Sequence, residues 1–188
     1  MGKVYECIDS RLAGWIEAQP VFFVATAPLA ADGLVNLSPR GLRGTFRVLD
    51  EHTFGYADLT GSGIETVAHL RENGRICVMF CAFDGPPKIV RLHGVGSVLR
   101  CGEPGFDAAL QPFVDALAIG TRQPAARAVV RVDVHRISDS CGFGVPLMDL
   151  RTERDLLDSW SDNKGPEGVV RYYTERNAVS LDGLPGMV

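Results

Sequence analysis

The apolar positions change period several times along the chain, and each change marks an element. Ile8, Leu12, Trp15 and Ile16 share one helical face, which predicts a helix over 8–19 that Pro20 ends. The run Val21 to Ala27 then reads as a buried strand. Ala31, Asp32 and Gly33 supply hairpin turn chemistry, and Leu34 to Ser38 returns as its partner. Phe46 to Leu49 and Thr53 to Leu59 continue the sheet around a turn at residues 50–52. A helix is expected after Thr60-Gly61-Ser62. Ser62 and Glu65 have the spacing of a capping box, Ile64, Val67, Ala68 and Leu70 form an apolar side, and Asn73-Gly74 closes the helix.

Arg75 to Phe83 and Lys88 to Arg100 are strand-like, separated by a turn at Pro86-Pro87. A helical stretch is expected from Pro104 to about Leu117. From Ala128 to Ile137, Val130, Val132 and Val134 alternate with Arg131, Asp133 and His135, which predicts a strand with one wet face. Two helices are expected near Glu153 to Asp162 and Glu167 to Arg176. Six or seven strands with one helix crossing in their midst predict a mainly β, α+β chain folded as a small barrel. The helices do not alternate with strands as a doubly wound sheet requires. A single domain over 1–188 is expected, with a helical C-terminal extension from about residue 140.

Composition changes this picture little. A net charge of -4 supplies no basic field for nucleic acid. No apolar run approaches the ~18 residues of a membrane span, and Met1 to Ser10 is too polar for a signal peptide, so a cytoplasmic protein is expected. The five cysteines include no CxxC pair. Cys77 and Cys81 lie about 13 Å apart along a strand, too far to share a metal or a disulfide, so reduced and mostly core cysteines are expected.

Two segments carry candidate chemistry. Asn36 to Gly41 ends a strand with a hydroxyl (Ser38), a proline (Pro39), a guanidinium (Arg40) and a glycine (Gly41). Asp58 to Gly63 leads into a helix N-terminus, where free amides favour an anion. Arg40, Ser62, Thr66 and the amides of Gly61 and Gly63 could together hold a phosphate. Equally, Ser62 could cap its helix and Arg40 could be a solvated loop residue. Arg91 and His93 share a strand face opposite Val90 and Leu92, and line either a cleft or solvent. His69 follows Glu65 by one turn, but no third ligand completes a metal site, and none is expected. The sequence lacks a P-loop and a G-x-S-x-G elbow.

The segments NLSPRG (36–41), YADLTGSGIETVAHLRENGRICVMF (56–80) and PPKIVRLHG (86–94) resemble the FMN-binding proteins related to pyridoxamine 5'-phosphate oxidase. SCGFGVP (140–146) and NAVSLDGLPG (177–186) are similar to one branch of that family. The resemblance implies an FMN-binding split β-barrel, a homodimer, and a cofactor groove between subunits. By segment it implies that Ser38, Pro39, Arg40 and Gly41 lie along the flavin and its phosphate. Tyr56, Asp58 and Thr60 would border the cofactor, Ser62, Gly63, Glu65 and Thr66 would approach the phosphate, and the strand at Lys88 to Arg91 would flank the ring. Glu65 and Thr66 stand where the oxidase has an Arg-Lys pair, and Ile89 stands where it has a glutamine. The oxidase's substrate-gripping arginine and histidine have no match, which argues against pyridoxamine phosphate as substrate. The expected activity is that of an FMN-dependent oxidoreductase acting on a small molecule. An F420-dependent reductase of the same fold, or a non-catalytic flavin- or haem-binding protein, is the alternative.

Overall fold

The computed structural model describes residues 2–114 and 125–188. Eight strands form a single antiparallel sheet: β1 (Val4–Tyr5), β2 (Val21–Thr26), β3 (Asn36–Gly41), β4 (Phe46–Asp50), β5 (Thr53–Leu59), β6 (Arg75–Cys81), β7 (Ile89–Arg100) and β8 (Ala126–Ser140). Their spatial order is β3-β2-β6-β7-β8-β5-β4, with β1 pairing separately to β8. Short β1 had no sequence signature, because two residues are too few to show a period.

The sheet curls until its two ends meet. Phe22 of β2 packs 4.8 Å from the ring of Phe46 of β4 and 5.4 Å from Tyr56 of β5. Phe54 and Phe80 complete the aromatic cluster, all buried inside the half-barrel. Each such ring stabilises the fold by roughly 1.5–3 kcal/mol through burial, and edge-on pairing adds to that. β2 alternates half-buried and buried positions, so Phe22, Val24 and Thr26 face inward while Val21, Phe23 and Ala25 face outward. β8 buries Val130, Val132 and Val134 and leaves Arg131, Asp133 and His135 wet, as the alternation predicted.

Helix α1 (Ser10–Glu17) closes one end of the barrel. The Asp9 carboxylate accepts from the Leu12 amide at 2.7 Å and caps it, and Leu12 and Ile16 enter the core. Helix α2 (Glu65–Asn73) crosses between β5 and β6 and buries Val67, Ala68, His69 and Leu70. Its C-terminus follows expectation, with Gly74 left-handed at φ 71°. Its N-terminus does not. Ile64 occupies the N-cap and no side chain caps the helix, so the capping box is not formed. Ser62 is left exposed, two residues before the N-cap.

Helix α3 (Phe106–Val114) seats Phe106, Leu110 and Phe113 in a second apolar cluster with Ala57, Ala126 and Val129. Residues 115–117 of the stretch expected there lie outside the described residues. The helical C-terminal segment α4 (Leu156–Arg176) breaks at Gly165 (φ 64°, ψ 170°) just before Pro166, which gives the two helices expected. Among the described residues no helix is long and apolar enough to cross a membrane. The cysteines are all free, but only Cys81 is buried. Cys7 and Cys77 are half-buried, and Cys101 and Cys141 are exposed: Cys77 lies on the outward face of β6, and the others fall outside the strands.

Candidate functional site

The inner face of β3 and the end of β5 come together where the barrel closes. Pairing places Asn36, Ser38 and Arg40 opposite Thr26, Val24 and Phe22, so all three point inward. Arg40 Nη2 lies 3.2 Å from Asp58 Oδ1, and Arg127 Nε donates to Asp58 Oδ2 at 2.8 Å. Asp58 has no exposure and Arg127 has 1%, while Arg40 retains 23% on its side chain. Burial alone would raise the Asp58 pKa, but the charges of Arg127 and Arg40 outweigh it and hold the carboxyl below its usual range. Asp58 in turn raises the pKa of Arg40. Two guanidinium groups flank one buried carboxylate, and Glu65 adds a second negative charge toward Arg40. Tyr56 lies beside them, its hydroxyl buried and without a hydrogen-bond partner. Burial pushes its pKa up, so it stays a neutral phenol.

Arg127 also donates to the Gly61 carbonyl at 3.1 Å and to Asn177 Oδ1 at 3.0 Å. Asn177 Nδ2 donates to the same Gly61 carbonyl at 3.0 Å. The C-terminal turn is thereby fixed to the segment that precedes α2. Its Gly186 packs so closely on Ile64 and Asn177 that a Cβ would lie 2.5 Å from the Asn177 carbonyl oxygen. Its Asp182 accepts from the Leu34 amide at 3.1 Å and approaches His69 Nε2 at 3.7 Å. His69 is fully buried and hydrogen-bonded to Thr26 through Nδ1 at 3.0 Å.

The expected phosphate donors are mostly spoken for. Ser38 donates to Asn36 Oδ1 at 2.8 Å, and Asn36 Nδ2 donates to Thr66 Oγ1 at 3.0 Å. Thr60 is buried and donates to the Ala125 carbonyl at 2.7 Å. Thr66 is buried too, while Ser62 and Gly63 are exposed. Glu65 folds back over Gly63, where a Cβ would sit 2.4 Å from its Oε2. The protein's own carboxylate therefore stands at the start of α2, where an anion was expected. Gly41 is half-buried, with the Pro20 carbonyl 3.0 Å from where its Cβ would be.

Arg91 lies on the other face of the sheet. The register runs Pro39, Phe23, Met79, Arg91 and Ser138 across five strands, so Arg91 shares an outward face with Pro39 and not with Arg40. The next row holds Leu37, Ala25, Cys77, His93 and Arg136. This outer face is apolar at Phe23, Ala25, Leu37 and Met79, cationic at Arg91 and Arg136, and partly covered only. Arg91 Nη1 donates to Ser140 Oγ at 3.1 Å. His93 Nδ1 is buried without a partner, and burial, reinforced by Arg136 and Arg91, lowers the His93 pKa. The candidate residues thus form two groups on opposite faces of one sheet. Arg127, Asn177 and the apolar neighbours of Pro39, Arg91 and His93 on the outer face (Phe23, Ala25, Leu37 and Met79) were missed. An arginine inside the wholly apolar stretch 125–130 was a signal that a buried carboxylate must lie opposite. Among the described residues, no three His, Cys, Asp or Glu side chains could hold a metal ion.

A curled antiparallel sheet closed by an ion-paired edge, with its outer face left open, is the architecture of a split β-barrel protein. A family model for pyridoxamine 5'-phosphate oxidase matches residues 8–141. The pyridoxamine 5'-phosphate oxidase family protein ustO of Aspergillus flavus is 39% identical over 199 residues, covering 97% of this chain and 77% of that protein. The chain belongs to the pyridoxamine 5'-phosphate oxidase family. Two crystal structures of HupZ from Group A Streptococcus, one of a histidine-to-alanine variant, share the fold at 25% identity. They give TM-scores of 0.55 and 0.53, covering 71% and 69% of this chain and 99% and 91% of those chains.

Proposed function

We propose that this protein binds a flavin, FMN first, between two copies of the chain, and passes electrons between it and a small-molecule substrate. The observation that carries the reading is the outer sheet face: a half-covered apolar floor edged by Arg91 and by a histidine whose Nδ1 is buried and unpartnered. A flat aromatic cofactor fits such a floor, and an unpartnered ring nitrogen calls for a polar neighbour. A second copy is the natural cover for the remaining apolar area.

The bound flavin would supply the redox chemistry. Phe23, Met79 and Ile89 would lie against its ring and exclude water. Arg91 and His93 would offer donors to its polar edge. Arg40 faces the other side of the sheet from this floor, so it would supply charge for the phosphate of a flavin whose tail passes round the end strand β3. Glu65 opposes a phosphate at the start of α2, which places the fit there below that of the ring. The same weak phosphate fit keeps the deazaflavin F420 as the alternative cofactor.

Anaerobic addition of NADPH to the FMN-loaded protein tests the redox step. Bleaching of the flavin band supports an oxidoreductase. An unchanged band with bound flavin makes the protein a flavin carrier without turnover. A second reading, haem binding, is favoured by His93, whose imidazole is held neutral as iron ligation requires. A haem band that disappears in His93→Ala would support it over the flavin.

A further inference from the structure

A recess of about 700 Å³ opens at the barrel end between α1, β1, the turn before β7 and the end of β8. Arg40, Arg91 and His93 do not line it; its walls come from the N-terminal segment, α1, the turn before β7 and the end of β8, where Ser140 accepts from Arg91 and marks the boundary with the outer sheet face. Tyr5 and Trp15 form its aromatic walls. Lys88 Nζ lies 4.9 Å from the centre of the Trp15 ring and 5.4 Å from that of Tyr5, and Lys3 Nζ lies 4.6 Å from Tyr5. Two ammonium groups thus approach one phenol ring, and Arg11 adds a third cation to the lining.

The acids of the recess are already engaged. Asp9 caps α1. Asp139 accepts from the Lys3 amide at 2.6 Å through Oδ1 and from the Tyr5 hydroxyl at 2.5 Å through Oδ2. Among the described residues, Lys3, Arg11 and Lys88 form no ion pair within 4.0 Å. Burial would raise the Asp139 pKa, but the Tyr5 hydroxyl, the Lys3 amide and the charges of Lys88 and Lys3 hold the carboxyl below its usual range, so part of the lysines' charge is offset. The lining still sets three cations (Lys3, Arg11, Lys88) against two carboxylates (Asp9, Asp139). A carboxylate between the lysines would offset that excess in a recess walled by indole and phenol, where an aryl group also leaves water.

We propose that this recess is a second ligand site, distinct from the flavin face, that binds a small aromatic carboxylate. The carboxylate is held by Lys88 and Lys3, and the ring packs beside Trp15. The test uses the full chain carrying Trp160→Phe, so that Trp15 is the fluorescent reporter. Benzoate is the probe and benzyl alcohol its neutral counterpart. The expected result is a saturable change in Trp15 emission with benzoate and at least about tenfold weaker binding of benzyl alcohol. Lys88→Gln should weaken benzoate by about tenfold or more, as loss of a charge-assisted contact does. Lys3→Gln, in a chain whose circular dichroism is unchanged, should weaken it as well. An absent benzoate response, or equal benzoate binding by Lys88→Gln and the parent, would overturn the proposal.

Discussion

Asp58 has no exposure, and its charge survives because guanidinium groups flank it on two sides. Removing one flank leaves a buried carboxylate short of a partner. Arg127→Met is therefore expected to cost about 3–5 kcal/mol in urea unfolding, which is the usual penalty for breaking a buried pair. The sign with pH follows from the lowered folded pKa of Asp58. Its contribution is fully present above the unfolded value near pH ~4 and is lost as pH falls through the folded value. Asp58→Asn should accordingly flatten the fall in urea midpoint below pH ~4. A profile as steep as that of the parent would remove Asp58 from the acid response. At the cofactor, Arg40→Ala should weaken FMN about ten- to hundredfold, while Glu65→Lys should tighten it about tenfold. Equal affinities across the three proteins would place the phosphate elsewhere.

At the scale of elements, period and turn chemistry made most of the structure legible. The inward alternation of β8, the α2 C-cap and the broken C-terminal helix all follow from local rules that need no distant partner, whereas the uniformly apolar run of β2 gave a strand but not which of its faces is buried. The capping box was misread for a related reason. Ser62 and Glu65 have the right spacing, but the ties of Gly61 to Arg127 and Asn177 delay the helix start to Ile64. No local rule could supply partners 66 and 116 residues away. The β7–β8 pairing shifts register between His93 and Gly94, and there a Cβ would lie 2.2 Å from the Asp133 carbonyl oxygen. Backbone cannot yield as a flexible side chain can. Gly94→Ala should thus destabilise the fold by about 2–3 kcal/mol, and a midpoint equal to the parent's would show that the strand pair rearranges freely.

For the whole molecule, which strand positions share a face depends on pairing across the barrel. Arg40 and Arg91 each looked like a cofactor residue, and only the register revealed that they occupy opposite faces. The outer face carries Phe23, Leu37 and Met79 in partial exposure, which a second copy would cover. Met79→Lys should shift the light-scattering mass from twice 20.3 kDa toward the single-chain value. A parent protein that already scatters as one chain with cofactor present would contradict the shared site.

The most direct measurement is an absorption titration of the purified protein with FMN. A saturable, shifted flavin spectrum with a stoichiometry of one FMN per chain is expected, with binding weakened by Arg91→Ala. An FMN spectrum that stays that of the free cofactor at every protein concentration would contradict flavin binding on the outer sheet face.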